Sequence, residues 1–338
     1  RFTAEGDVLH AIADKGGSRK ARGVRRVLSL PLASARLNLT GVADLVEFQG
    51  DVPFPVEYKR GKPKPHRADA RTQRPPFTAV VHSEWIKVVS LPSSVLALVG
   101  ILAVGIGGSL FLGLTLESSG VPSVPSIERT IADVTVPMVV LGQIIAGIFG
   151  VMTIGAEYSS GAMQTTLVAV PQRVRMLAAK TLVTFTTVTA ASLVTVFGAW
   201  AVTNPIYEGF GLGAPLTAPG VMLALVGSAV YLGLCAVFGL GATTLVRSTT
   251  TGSIIVFAAT LLLPVLSSLL PFGLLSRVIR LGLLGNAGDA MGRVGIEGGP
   301  FLDLWGGHMS VGAGWLIAAV WAAGALVIGA AALRTRDA

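Results

Sequence analysis

Six long apolar segments constrain this chain more than any other feature of its sequence. Each is about 20 residues long, enough for a helix to cross the hydrocarbon core of a bilayer, and none contains Asp, Glu, Lys or Arg. They are apolar on all sides rather than along one stripe, which is typical of helices in lipid and not of helices that cover a soluble all-α core. We therefore predict an all-α polytopic membrane protein. The segments are 94–116, 135–155, 181–202, 221–245, 252–270 and 311–333.

The charged residues divide the chain near Pro75 and Pro76. Residues 1–76 contain 15 Lys or Arg and 8 Asp or Glu, a net charge of +7, whereas the 11 basic and 10 acidic residues of the remainder give only +1. A basic segment of this kind can attract nucleic acid or anionic lipid. That inference applies only to the N-terminal quarter, and the rest of the chain is interpreted as a protein embedded in lipid.

Basic residues in the connections predict the orientation. With the N-terminus in the cytoplasm, seven Lys or Arg of residues 77–338 lie inside and four lie outside. This excess favours both termini on the cytoplasmic side of the cell membrane. The inside residues are Lys87, Arg173, Arg175, Lys180, Arg247, Arg334 and Arg336, and the outside ones are Arg129, Arg277, Arg280 and Arg293.

Two connections have a pattern of their own. The motif S-E-W-x-K before the first segment places Val80, Val81, Trp85 and Val88 at near-helical spacing, with Glu84 and Lys87 on other faces. This predicts an interfacial helix on the cytoplasmic surface, with Trp85 at headgroup depth. The outer connection 271–310 contains an apolar piece too short to span, which predicts a re-entrant or interfacial hairpin.

The cytoplasmic link combines G-A-E-Y-S-S-G at residue 155 with V-P-x-R-x-R-x-L-A-A-K, which ends at residue 180. Together with the S-E-W-x-K helix and six spans, this order resembles the type-2 ABC exporter permeases over residues 77–338. The resemblance implies a permease subunit that exports a substrate when a separate ABC ATPase drives it, paired with a second, identical or related permease subunit. Glu157, Tyr158, Arg173 and Arg175 are the expected ATPase contacts.

Nothing in this region predicts chemistry by the chain itself. The sequence contains no G-x-x-x-x-G-K-[ST] phosphate loop, so an ATPase must be another polypeptide. No ionisable residue lies at mid-span, which argues against proton coupling and favours an apolar or amphipathic cargo. The few polar or reactive groups inside the spans are Gln143, Tyr231 and Cys235. We predict that Gln143 joins helices and that Cys235 is a packing residue.

The sequence of the N-terminal quarter predicts a pair of strands joined by a turn at residues 49–51. On the second strand Glu57 and Lys59 share one face, and Asp44 on the neighbouring strand can join them. Two carboxylates that hold Mg²⁺ or Mn²⁺, with a lysine that stabilises phosphate charge, can cut phosphodiesters. A solvated basic hairpin is the alternative interpretation.

With His10 upstream, this arrangement resembles the CRISPR-associated RecB-like exonucleases over residues 1–70. The resemblance implies His10, Asp44 and Glu57 as metal ligands and Lys59 as the catalytic lysine. The cysteines that hold this family's iron-sulfur cluster are missing, since Cys235 is the only cysteine, and no such cluster is expected. About 70 residues cannot cover a sheet well. We therefore predict a small, truncated and inactive α/β nuclease-like fragment, in a chain that is itself incomplete at Arg1.

Three regions and two competing functions follow. The regions are the nuclease-like fragment (1–70), a junction with the interfacial helix (71–93) and a six-helix permease domain (94–338). A gene fusion, a frameshift or a joined assembly could each produce the junction. The favoured function is a permease subunit that is not an enzyme by itself and has no cofactor or nucleic-acid partner. The alternatives are a membrane-tethered exonuclease and a polytopic protein without an ATPase, the latter distinguished by whether an ATPase gene is adjacent.

Overall fold

The chain divides into two compact units, Arg1–Gln73 and Arg74–Ala338. The computed structural model describes the backbone of residues 17–21, 24–34, 39–49 and 52–55 in the first unit. In the second unit it describes residues 76–121, 126–163, 172–271, 273–294, 302–303 and 308–335.

The described part of the first unit is a four-stranded antiparallel sheet in the order β1-β2-β3-β4. Residues Gln49 and Val52 pair at the ends of β3 and β4, as expected for strands joined by a two-residue connection. The predicted continuation of the second strand through Glu57 and Lys59 lies outside the described residues, and the α/β character of the fragment stays a prediction. The strands are β1 (Gly17–Ala21), β2 (Val24–Ser34), β3 (Leu39–Gln49) and β4 (Val52–Pro55).

The second unit contains the six predicted spans. Six helices among the described residues are long and apolar enough to cross a membrane, which confirms the predicted number and makes the chain a multi-pass membrane protein. We number them span 1 (Pro92–Leu114), span 2 (Ile127–Ser159), span 3 (Arg173–Gly209), span 4 (Val221–Val246), span 5 (Thr249–Ser268) and span 6 (Val311–Thr335).

Shorter elements complete this unit. Helix α1 (Phe77–Ser90) precedes span 1, and α2 (Leu116–Ser119) follows it. The connection predicted to form a hairpin contains two short helices, α3 (Leu274–Gly282) and α4 (Leu284–Met291), and its location on the outer side stays a prediction. Strands β5 (Leu302–Asp303) and β6 (His308–Met309) form a small antiparallel pair before span 6.

Span 4 lies at the centre of this unit. It packs against spans 2, 3 and 6, and its side chains are buried along most of its length. Glycines let the backbones approach closely, because a side chain at Gly150 or Gly239 would overlap a carbonyl oxygen of the facing helix. Helix α4 also packs against spans 4 and 6, so the second half of this hairpin lies within the bundle.

Two spans contain a π-helical turn. Met138–Gly142 interrupts span 2 directly after Pro137, and Ala258–Leu262 interrupts span 5. Such turns leave the normal hydrogen-bond pattern and are frequent at functional sites. Gln143, the residue directly after the first turn, donates from Nε2 to the carbonyl of Thr260 in the second turn over 3.1 Å.

Candidate functional site

Helix α1 turns a charged residue toward the bundle. Val80, Glu84 and Val88 are its buried residues, and their spacing of four places them on one helix face. The prediction that Glu84 lies on a face away from Val80 and Val88 is therefore wrong. Trp85 is 47% exposed, which suits a residue at headgroup depth. The local spacing of apolar and charged residues predicted the wrong face for Glu84, because its buried partners come from distant parts of the chain.

Those partners form a buried ion cluster of Glu84, Lys87, Glu157 and Lys180, called the ion cluster below. Lys180 Nζ lies 2.9 Å from Glu157 Oε1 and also contacts Glu84 Oε2. Lys87 Nζ lies 2.8 Å from Glu84 Oε1 and 2.7 Å from Glu157 Oε1. With two carboxylates and two ammonium groups the formal charge is zero. The cluster connects α1 with the end of span 2 and the start of span 3.

The two lysines differ in their burial and in their hydrogen bonds. Lys180 has a side chain only 3% exposed, and it makes a third bond to the Thr153 carbonyl over 3.0 Å. An ammonium group has three donors, so those of Lys180 are all engaged. Lys87 is 39% exposed. Burial acts to lower the pKa of Lys87, but hydrogen bonds and attraction to Glu157 and Glu84 outweigh it and leave the pKa above its ordinary value of 10.5.

A cavity of about 210 Å³ adjoins the ion cluster. All four charged residues line it, and Val88, Leu91 and Val183 contribute apolar walls. Two of the residues that line it each have a buried polar atom without a hydrogen-bond partner among the described residues, namely Glu157 Oε2 and the Thr184 hydroxyl. The cavity is thus mostly apolar, with charged groups on one side.

The predicted ATPase contacts lie at the same end of the bundle. Arg173 donates to the Leu333 carbonyl at the end of span 6 over 2.7 Å, where a cation also suits the helix dipole. Arg175 lies 5.9 Å from the Phe77 ring centre and donates to Gln172, and Tyr158 lies beneath the guanidinium of Arg247. All three are half-buried, whereas Glu157 is buried in the ion cluster. A contact between these residues and an ATPase stays a prediction.

A second polar network lies inside the bundle. The Tyr231 hydroxyl donates to Gln143 Oε1 over 2.5 Å and also lies 3.2 Å from the Leu284 carbonyl of α4. Gln143 therefore connects spans 2, 4 and 5, in the joining role predicted for it. Cys235 is a buried free thiol, as a packing residue would be. Gln143 and Tyr231 thus both have hydrogen-bond partners within the described part of the chain.

The described residues do not test the predicted nuclease site. Asp44 lies on β3, whereas His10, Glu57 and Lys59 lie outside the described residues. In the described parts of the chain no group of three or more His, Cys, Asp or Glu could hold a metal ion. The metal-binding and catalytic roles of these residues stay predictions.

The sequence did not predict that Lys180 joins a buried ion cluster, because it was interpreted only as an orienting charge and as the last residue of the arginine-containing motif. A signal was present, because two Glu and two Lys flank the first three apolar segments at the ends that the predicted topology places on one side of the membrane. Charges beside lipid are costly unless paired.

Neither models of known protein families nor curated proteins give a significant match to this chain.

Proposed function

We propose that residues 77–338 are the permease subunit of an ABC exporter, driven by a separate ATPase subunit. The observation that carries the proposal is the ion cluster, which joins residues of all three motifs on which the resemblance rests. Glu84 and Lys87 belong to S-E-W-x-K, Glu157 to G-A-E-Y-S-S-G, and Lys180 ends the arginine-containing return. Motifs far apart in sequence thus meet at one end of the bundle.

The cluster suits a coupling element. A partner that binds the link between spans 2 and 3 would push on the ends of two long helices. Span 3 has 37 residues, about 55 Å at 1.5 Å per residue, and exceeds the hydrocarbon thickness of about 30 Å. Because the ion cluster ties these helix ends to α1, a push there would move α1 and both spans together.

The proposal includes partners and orientation. Two permease subunits, identical or related, form the pathway in the cell membrane, and two ATPase subunits bind on the cytoplasmic side, where both termini lie. Arg175, Tyr158 and Arg173 are the proposed contact residues. Glu157 would act through the position of span 2, because it is buried.

Co-purification tests the proposal. The full chain, carrying an affinity tag, is purified from detergent-solubilised membranes of its native host, and its partners are identified by mass spectrometry. We expect an ABC ATPase in near-stoichiometric amount. Its absence under conditions that retain other membrane complexes would contradict the proposal, and recovery of nucleic acid or CRISPR-associated proteins would favour the exonuclease alternative instead.

The matched variants are Arg175→Ala and Arg293→Ala. Each removes one guanidinium, but Arg293 lies just after helix α4 and pairs with Asp289 of that helix, away from the ion cluster. Loss of an interface contact worth about 1 kcal/mol weakens binding roughly fivefold. Arg175→Ala should lower the recovered ATPase by about that factor, and Arg293→Ala should not. Equal recovery from both variants would remove Arg175 from the interface.

A further inference from the structure

The cavity beside the ion cluster contains an unfilled hydrogen-bond acceptor. Glu157 Oε1 receives both lysines, whereas Oε2 of the same carboxylate has no partner among the described residues. The side chain is only 9% exposed. An ionised carboxylate oxygen can only accept hydrogen bonds, and leaving it buried and unpaired costs free energy. The site therefore favours an occupant that donates hydrogen bonds.

The Thr184 hydroxyl is a second buried group without a hydrogen-bond partner among the described residues. Thr184 is fully buried and lines the cavity. Other threonines of span 3, such as Thr181, donate to the carbonyl four residues earlier. Thr184 does not, so its buried hydroxyl is a second unpaired polar group on a residue that lines the cavity.

An unfilled donor lies close to these groups. Lys87 Nζ donates to Glu84 and Glu157, and the third of its three N–H groups has no described partner. Because Lys87 already contacts Oε1 of Glu157, the free N–H and the free Oε2 belong to neighbouring groups. The cavity thus complements a zwitterion whose anionic and cationic parts are separated by a short link.

The surroundings favour an amphiphile. Leu91 lines the cavity and is exposed, and Val95 and Leu96 continue an exposed apolar surface along span 1. A volume of about 210 Å³ equals that of about seven waters at roughly 30 Å³ each, more than one bridging water needs. A headgroup can occupy the cavity while acyl chains lie against span 1.

We propose that this cavity binds the headgroup of phosphatidylethanolamine, a zwitterionic phospholipid with a primary ammonium group. The ammonium donates to Glu157 Oε2 and the Thr184 hydroxyl, and the phosphate accepts from Lys87. The proposal needs no ATPase partner, so it stands or falls separately from the permease function.

Native mass spectrometry of the full-length chain, purified in detergent, tests the site. Palmitoyl-oleoyl phosphatidylethanolamine and the corresponding phosphatidylcholine are added at equal concentration. The choline headgroup has the same phosphate, but its trimethylammonium cannot donate a hydrogen bond. We expect the ethanolamine lipid to form the one-lipid complex about tenfold more, since hydrogen bonds to charged groups are the strong ones. Equal binding of the two lipids would overturn the proposal.

Thr184→Val and Thr187→Val are the matched variants. Both replace an unpaired hydroxyl of span 3 by a methyl group of similar size, but only Thr184 lines the cavity. Thr184→Val should lower ethanolamine-lipid binding about three- to tenfold, as expected for one hydrogen bond, and leave phosphatidylcholine binding unchanged. Thr187→Val should change neither. An unchanged lipid preference in Thr184→Val would contradict the assignment.

Two further measurements complete the test. Glu157→Gln should lose most of the preference for the ethanolamine lipid, measured under conditions in which the variant and the parent chain are both folded. A retained preference would overturn the role of Oε2. Soluble O-phosphoethanolamine should displace the lipid only weakly, because it lacks the acyl chains. Displacement at the concentration of the lipid itself would assign the site to a soluble zwitterion and overturn the lipid proposal.

Discussion

Lys180 is the residue on which the ion cluster depends, because all three of its donors are bonded to Glu84, Glu157 and the Thr153 carbonyl. Each carboxylate comes from a different element. A buried ion pair adds little net stability relative to apolar residues, but removing one partner leaves an uncompensated buried charge. The cluster therefore fixes the arrangement of α1 and spans 2 and 3 more than it stabilises the fold.

Replacing each lysine by methionine tests this asymmetry. Lys180→Met should lower the free energy of unfolding by about 3–5 kcal/mol, because two buried carboxylates lose their buried partner. Lys87→Met should cost about 1 kcal/mol or less, because that side chain is partly solvated. Thermal unfolding of both purified variants in the same detergent measures the difference. Equal losses of stability would show that solvent exposure does not distinguish the two lysines.

Residue roles were only partly predictable from the sequence. Gln143 was expected to join helices, because an isolated amide among apolar residues has few other partners in lipid. Glu84 was misplaced, because an amphipathic pattern assumes that charges face water. Its partner Lys180 lies 96 residues further along the chain, and no local pattern contains that pairing.

At the scale of elements, the packing of spans 2 and 4 depends on glycine. A Cβ atom at Gly150 would overlap the backbone carbonyl of Ala236, and one at Gly239 would overlap that of Gly147. Backbone atoms cannot move aside as a flexible side chain can. The two helices therefore lie closer than any larger residue at these positions would allow.

Gly150→Ala and Gly107→Ala compare a close approach with an open position. Both glycines lie inside a span, but a Cβ at Gly107 meets nothing within 4 Å. Gly150→Ala should destabilise the fold by about 1–3 kcal/mol or more, as overpacking does. Gly107→Ala should be neutral or slightly stabilising, since alanine favours the helix. Unfolding midpoints in detergent report both, and a neutral Gly150→Ala would contradict the predicted overlap.

The existence of the spans could be predicted, but not their ends or internal breaks. Long apolar runs identify six helices because lipid leaves the backbone few alternatives. Span 3 was predicted as 181–202 and is Arg173–Gly209, since a helix can continue into polar surroundings without a change in the backbone. The π-turns after Pro137 and Phe257 were not predicted, because they depend on the packing of neighbouring helices.

On the scale of the whole molecule, the two units pose separate questions. The second unit, Arg74–Ala338, contains all six spans. Its connections also carry the seven-to-four excess of basic residues on the proposed cytoplasmic side. The signals for insertion and orientation thus lie in this unit, and the sheet of the first unit adds no apolar segment long enough to span.

Deleting residues 1–73 should therefore leave insertion and orientation unchanged. Topology is measured in a Cys235→Ala background, which removes the only cysteine, with Ser118→Cys or Ser160→Cys as an exposed reporter. A membrane-impermeant maleimide should label the first in intact cells and the second only after permeabilisation. The full-length and shortened chains should give the same result. If the shortened chain inverted this pattern or failed to insert, the first unit would carry a topology signal that residues 74–338 lack.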